Sequence, residues 1–434
     1  MTRRVLVALI NDQKVGELRE VNGLWVFQYS QDWLNYPRRF ALSPGLPLQS
    51  ERLVDGASDR PVQWYFDNLL PEEGQRTLLA GDAKLDAADA FGLLKYYGAE
   101  SAGSLTLLPP GAPAQTPGEL RPLPDAHLSV RILKMPTVPL TNAAIKRMSL
   151  AGAQHKLAVV LRDGNLFEPS GALPSTQILK PDHPHPSYPH SAINEYFVMS
   201  LAQRLGLAVP NMHRRYVPQP VYLVDRFDRS QKGKQWQRIH AIDACQLLGM
   251  DRVFKYQGSM EKLAAIANAC RSPAVARTRL FSWLLFNTLT GNGDAHLKNL
   301  SFLVSHEGIG LAPHYDLLST ACYESPSFNQ QRWPGQTRLA WPLLGVERFG
   351  ELSKNHLLEA GAAMHIAKAT TTRLLEQLSG RITESAKELY SSVEAENAGL
   401  IAQRPELAAT FAGELRCLRA IVHNVITEMT SRLK

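Results

Sequence analysis

The chain has 434 residues, 44% of them hydrophobic and 20% charged, which excludes a disordered polypeptide and exceeds one ordinary core, so two or three domains are expected. The net charge of +7 is modest for that length and permits contact with a polyanion without demanding it. No run reaches the ~18 apolar residues of a membrane span, which excludes a helical membrane protein. Arg3-Arg4 followed by residues 5–10 has too short an apolar stretch for a signal peptide and reads as a strand of a cytoplasmic protein. Cys245, Cys270, Cys322 and Cys417 form no C-x-x-C pair and sit in apolar sequence, so buried free thiols are expected.

Residues 5–10 and 24–29 read as strands, with Val21-Asn22-Gly23 as a hairpin-type turn. Pro61 opens a helical pattern through Trp64, Tyr65, Leu69 and Leu70, stopped by Pro71. A second helical stretch is expected at 85–97 and a strand at 103–108, so 1–108 reads as a small α+β domain. Residues 109–124 are rich in Pro, Gly and Ala, so 109–140 reads as a linker or surface crossing, with a strand or short helix at 128–133.

A further unit begins near Met148, with 141–236 as one domain and 237–434 as a mostly helical one. Strands are expected at 157–161, around 166–167 and at 175–179, with a tight turn at Asp163-Gly164-Asn165. The loop 181–190 is rich in Pro and His. A helix opens at Asn194-Glu195 and runs through Leu205 to a Gly206 cap. Two strands lead to Asp225-Arg226-Phe227-Asp228, and the chain is largely helical from His240 to its C-terminal end.

The strongest chemical signal follows the apolar helix at 280–289. In Gly291-Asn292-Gly293-Asp294-Ala295-His296-Leu297-Lys298-Asn299, Asp294 and Asn299 would point about 140° apart on a helix. To serve one ligand they must sit on a loop that turns back, which the glycines permit. Asp316 follows in Pro313-His314-Tyr315-Asp316-Leu317. An acid as base, plus an amide and an acid on magnesium, is the set that phosphoryl transfer needs. Helix capping by Asp and Asn explains any one of them but not all three together with an upstream lysine.

Three weaker features lie upstream. Ser149-Leu150-Ala151-Gly152-Ala153-Gln154-His155-Lys156 is a small-residue turn whose amides can cradle a phosphate, although a plain hairpin turn has the same composition and no Walker pattern is present. Lys180 ends an apolar strand and has a candidate partner in Glu195 on the next helix. Backbone at Asp225 can meet an adenine edge while Phe227 packs on the ring, although a strand that simply ends in a charged turn, Asp225-Arg226-Phe227-Asp228, has the same sequence. His183, His185 and His190 look metal-binding, but the intervening prolines and the lack of a nearby cysteine favour a mobile polar loop.

These pieces, with Asp67-Asn68-Leu69-Leu70-Pro71, Ile178-Leu179-Lys180, Asn194-Glu195-Tyr196, Asp243-Ala244-Cys245-Gln246 and Tyr315-Asp316, resemble in content and order the HipA-type serine/threonine kinases, toxins of bacterial toxin–antitoxin pairs. The resemblance spans nearly the whole chain. It implies an α+β, two-lobed protein-kinase-like fold, with 1–108 packed on a small lobe and a helical large lobe. It implies ATP and Mg²⁺, with Ala151, Gly152, Ala153, Gln154, His155 and Lys156 around the phosphates, Lys180 contacting them, and Asp225 and Phe227 bordering the adenine.

By the same resemblance Asp294 is the base, and Asn299 and Asp316 hold metal. His296 borders the nucleotide, and Glu195, Gln246 and Lys298 support the site. Ser149 stands at the serine whose autophosphorylation switches the kinase off; a phosphate there would compete with those of ATP. His155 stands where the family pattern has an acid. His296 is expected to brace the loop by hydrogen bonding, and Lys298 either neutralises the transferred phosphate or faces water. Implied partners are a small helix-turn-helix antitoxin (HipB-like), operator DNA through that complex, with Arg348 and Lys354 as candidate phosphate contacts, and a cytosolic protein substrate, an aminoacyl-tRNA synthetase in known members. A small-molecule phosphotransferase of the same fold and an idle corepressor bound to an antitoxin on DNA are the competing readings. Ser149 argues against the first, and the joint presence of Lys180, Asp294, Asn299 and Asp316 against the second.

Overall fold

The computed structural model describes residues 4–113, 118–142, 144, 154–233 and 235–433. The chain divides into two compact units. The first comprises Met1–Lys180, Leu223–Lys255 and Ser301–Ala312; the second comprises Pro181–Tyr222, Tyr256–Leu300 and Pro313–Lys434.

The first unit opens with a sheet in the spatial order Leu53–Val54, Leu24–Tyr29, Gln13–Val21, Arg4–Ile10 and Leu105–Leu108, all antiparallel. The strand Gln13–Val21 is absent from the sequence expectation because Lys14, Glu17, Arg19 and Glu20 make the segment look like a charged turn. Val15, Gly16 and Leu18 are buried, its charges lie at more exposed positions, and the register against Arg4–Ile10 shifts between Ala8 and Leu9, as in a half-buried strand that carries a bulge. Trp25 meets Phe91 edge-on at 5.2 Å, and Phe27 meets Phe66 at 5.5 Å, fixing the helices Pro61–Asp67 and Ala90–Tyr97 on the sheet. The helical stretch expected at 85–97 starts only at Ala90, because the Asp89 carboxylate accepts from Gly92 N at 3.0 Å and caps the helix there. The helix Glu73–Ala83 was not anticipated.

In this unit a second sheet runs from residues 223–225 through 177–180, Leu157–Arg162 and Asn165–Pro169 to Leu120–Pro122. The segment 109–140 is therefore structured where described: it supplies that edge strand and the helix Asp125–Leu133, whose Arg131 grips Glu168 with two bonds of 2.7 and 2.8 Å. Three short strands, Ala241–Asp243, Ser301–Ser305 and Gly308–Leu311, form a third sheet within a stretch expected to be helical.

Between these sheets lies a buried ionic cluster. Arg229 donates to Glu100 at 2.7 Å, Arg226 donates to Asp228 at 2.7 Å, and Gly103 N donates to Asp228 at 2.6 Å. Burial pushes the Asp228 carboxyl up, but Arg226 and Arg229 together hold it at about 2. Gly103 has φ +74°, and a Cβ there would lie 2.6 Å from Ala241 N, so no other residue fits this close approach.

The second unit is dominated by the helices Ser191–Arg204, Met260–Ala269, Pro273–Thr290, Lys354–Ala363, Lys368–Gln403, Ala408–Arg419 and Thr427–Arg432. The first of them begins three residues before the expected Asn194. Phe197, Trp283, Phe286 and Phe411 are among its fully buried side chains. No described helix is long and apolar enough to cross a membrane. All four cysteines are free and buried, as expected.

Glu414, fully buried, accepts from the Tyr216 hydroxyl at 2.8 Å. Burial first, then Asp182, push its carboxyl up to about 7, against Tyr216 and Arg214. Between the ordinary value of 4.5 and about 7 the folded chain holds a proton that the unfolded chain has lost, so this group's contribution falls as pH rises through that window. Glu414→Gln, which keeps an acceptor for Tyr216, is expected to gain on wild type by a few kcal/mol above pH 7 and to match it below about pH 4.5. Urea unfolding at both pH values checks this.

Candidate functional site

The site loop is built on the end of the helix Pro273–Thr290. Gly291 takes φ +64° and closes the helix by donating to Asn287 O and Thr288 O. A Cβ at Gly291 would lie 2.6 Å from Ala321 Cβ and 2.7 Å from Val425 Cγ1. Asn292 N donates to Asn287 O at 2.9 Å, and Gly293 N to the Thr320 hydroxyl at 2.7 Å. Trp341 Nε1 donates to Ala295 O at 3.1 Å.

The chain then turns back, as the spacing of Asp294 and Asn299 requires. Asn292 Oδ1 accepts from Asp294 N at 3.0 Å, and Asn299 Nδ2 donates to Asp294 O at 2.8 Å. The backbone of Asp294 is thus held on both sides, and its carboxylate projects with 43% of the side chain exposed. The apolar neighbours Ala295, Leu297 and Leu317 are buried, while Asp294 and Asp316 themselves are of intermediate exposure. Desolvation of these carboxylates therefore does not by itself call for a ligand.

His296 Nε2 lies 4.0 Å from Asp294 Oδ1, and His296 N donates to Asp294 O at 2.8 Å. The histidine is buried. Lys298 is buried at 6% exposure, which excludes the alternative of a lysine facing water; its carbonyl accepts from the Tyr315 hydroxyl at 2.8 Å. Asp316 adopts φ +56°, an uncommon left-handed conformation for an aspartate. Asn194 locks the start of the helix Ser191–Arg204 to the segment that follows: its amide donates to Ser319 O at 2.9 Å and accepts from Ser319 N at 2.8 Å. Burial pushes the Tyr222 hydroxyl well up, and the carboxylates of Glu195 and Asp316 push it further, which places both acids near one buried phenol.

Tyr256 is the residue of this site that sequence reasoning missed. Its hydroxyl donates to Asp294 Oδ1 at 2.6 Å, and its ring stands edge-on to His296 at 5.1 Å. A lone tyrosine in Phe254-Lys255-Tyr256-Gln257 carries no signal of this role. The histidines of the loop 181–190 make local bonds: His183 Nδ1 accepts from His185 N at 3.1 Å, and the His183 ring contacts Tyr188. Among the described residues no group of three or more His, Cys, Asp or Glu is arranged to hold a metal. Arg348 faces Glu351 at 3.5 Å at the surface, and Lys354 begins the helix Lys354–Ala363.

The remaining candidates lie in the first unit. Pairing of Leu157 with Leu179 sets Gln154, His155 and Lys156 beside the end of the strand that carries Lys180, which is buried. Asp225 lies at the other end of that strand, where Gln177 Nε2 donates to it at 2.9 Å and Arg226 N donates to Thr176 O. Three residues separate Gln177 from Lys180, about 10 Å of strand. Phe227 is half-buried between Arg226 and Asp228. Gln246 is a buried structural residue: it closes a capping box with Asp243 and donates to Tyr65 O at 2.8 Å. Ser149, Ala151, Gly152 and Ala153 lie outside the described residues. Lys180 belongs to the first unit and Glu195 to the second.

Residues 6–108 match the family model of the HipA N-terminal domain, and residues 148–395 match that of the HipA-like C-terminal domain. The chain is 34% identical over 410 residues to a putative kinase, Y4mE, of Sinorhizobium fredii, covering 90% of this chain and 94% of that protein. It is 32% identical over 343 residues to the serine/threonine-protein kinase toxin HipA of Shewanella oneidensis, covering 74% of this chain and 76% of the other. Among solved structures, a Shewanella oneidensis complex of HipA, HipB and operator DNA matches with a TM-score of 0.75 at 26% identity, over 98% of this chain and 99% of that one.

Proposed function

Because the chain belongs to the HipA family of kinases and has its α+β, protein-kinase-like fold, we propose that it is an ATP- and Mg²⁺-dependent serine/threonine-protein kinase acting as the toxin of a toxin–antitoxin module. The observation that carries the reading is the hydroxyl of Tyr256 on Asp294 Oδ1 at 2.6 Å. A carboxylate that is half exposed, held by its own backbone and already accepting from an alcohol-type O–H has the geometry of a general base for a serine or threonine hydroxyl. In this reading Asp294 takes the acceptor's proton as that oxygen bonds to the γ-phosphorus and the bond to the bridging oxygen breaks.

The residues fit a metal and a nucleotide. Asn299 commits its Nδ2 to Asp294 O, which leaves its oxygen as the atom to meet a cation, and Asp316 supplies one carboxylate. Magnesium takes few protein ligands and completes its shell with water and phosphate oxygens. When bound it would neutralise charge on the transferred group. In the first unit the span of about 10 Å between Gln177 and Lys180 suits a nucleotide with its base at Asp225 and Phe227 and its phosphates at Lys180, Lys156, His155 and residues 151–154. Glu195, His296, Gln246 and Lys298 support the site. The domain reading that goes with it is 1–108, a crossing at 109–140, a small lobe at 141–236 and a helical lobe at 237–434.

Ser149 is the acceptor of self-labelling in this proposal, and its phosphate is the off-switch. A HipB-like antitoxin and operator DNA are the proposed partners. A cytosolic protein, with an aminoacyl-tRNA synthetase as first candidate, is the proposed target. The test is incubation of the purified chain with Mg²⁺ and labelled ATP, followed by mapping of the label by mass spectrometry. Label on Ser149, lost in Ser149→Ala, is expected; label undiminished in that variant moves the switch elsewhere, and no label on any protein removes the kinase reading. Phosphoproteomics of cells expressing the chain, against Asp294→Asn, names the target.

A further inference from the structure

Tyr256 sits where an acceptor hydroxyl would have to sit. Its O–H donates to Asp294 Oδ1 at 2.6 Å, within the 2.6–3.2 Å expected between a general base and the hydroxyl it deprotonates. We infer that Tyr256 is a built-in mimic of the acceptor, which occupies the base in the resting chain and must swing away before a substrate hydroxyl or water can engage. This rests on the reading of Asp294 as the base.

Two observations favour competition over a role in positioning the base. Asp294 is already oriented through its backbone, by Asn292 Oδ1 on one side and Asn299 Nδ2 on the other, so the phenol is not needed to aim the carboxylate. Tyr256 is also 43% exposed, unlike a buried orienting residue, and the carboxylate it meets is exposed to the same degree. The ring stands edge-on to His296 at 5.1 Å, a contact that favours the phenol's place without sealing it there.

The mimic has a readout that needs no protein substrate. Water can replace the acceptor: its oxygen bonds to the γ-phosphorus as the bridging bond breaks, its proton passes to Asp294, and ADP and phosphate are released. Tyr256→Phe keeps the ring on His296 and removes only the competing hydroxyl. Full-length Tyr256→Phe is expected to hydrolyse Mg·ATP faster than wild type, on the order of tenfold, the scale of one hydrogen bond to a charged group. With a synthetic peptide of residues 143–157 as acceptor, its KM is expected to fall by a similar factor while kcat holds.

Hydrolysis that is unchanged or slower overturns the inference, as does a kcat for the peptide reduced tenfold at constant KM, which would make Tyr256 a positioning residue. Tyr256→Ala gives the same comparison should the phenylalanine variant melt early. Asp294→Asn separates the two levels. Its loss of turnover with no gain from Tyr256→Phe sinks the mimic alone; turnover unaffected by Asp294→Asn sinks the base.

Discussion

Asp294→Asn is expected to lower phosphate transfer to protein by about 10²–10⁴-fold, the usual contribution of a general base, while the fold and nucleotide binding survive. The separation follows from the geometry. The bonds that hold Asp294 to Asn292 and Asn299 are made by its backbone, which asparagine retains. The carboxylate is 43% exposed, so replacing it by an isosteric amide should change stability by no more than about 0.5 kcal/mol. Label transfer and thermal melting on the same preparation check both halves. Transfer at the wild-type rate would remove Asp294 from the chemistry, and an early melt would show that the carboxylate carries structure.

The second large effect lies far from this loop in sequence. Glu100→Ala should destabilise the chain by about 3–5 kcal/mol, the range for breaking a buried ion pair from one side. Glu100 is fully buried and its Oε1 accepts from Arg229 at 2.7 Å and from the Ser175 hydroxyl at 2.7 Å. Removing it leaves Arg226 and Arg229 repelling each other with Asp228 alone between them. Burial first, then Arg226, already lower the Arg229 guanidinium to about 10. Glu100→Gln keeps an acceptor and should lose less. The measurement is the melting temperature, for which 3–5 kcal/mol corresponds to a drop of roughly 6–20 °C in a unit of this size. A surface control, Glu428→Ala on the exposed pair with Arg432 at 2.6 Å, should move it by less than about 2 °C. A Glu100→Ala protein melting with wild type would mean that the cluster is not held as described.

The same cluster shows where sequence reading stops. Arg226 and Asp228 are conspicuous in Asp225-Arg226-Phe227-Asp228 and read there as a charged turn or a nucleotide-side motif. Glu100, the further partner of Arg226, lies 126 residues upstream of it and carries no local sign of burial. The strand Gln13–Val21 escaped for a different reason: its exposed positions are charged, and the buried Val15 and Leu18 stand three residues apart, so no two-residue period shows. The strands Ser301–Ser305 and Gly308–Leu311 belong with the first unit although helical sequence surrounds them, a pairing set by long-range contacts with Ala241–Asp243.

What the sequence determined by itself is whatever contiguous residues can dictate. Gly291 ends the helix, because glycine takes the left-handed φ of +64° without strain. Asp294 and Asn299 must share a turned-back loop, because their spacing forbids one helical face. The order of motifs along the chain was enough to indicate the family. Only tertiary structure decided which groups meet across long separations. It brought the Tyr256 hydroxyl onto Asp294, 38 residues away, and it left that carboxylate half exposed among buried apolar neighbours. Side-chain contacts between distant segments depend on how the helices pack, and nothing in the local order of residues encodes that packing one pair at a time.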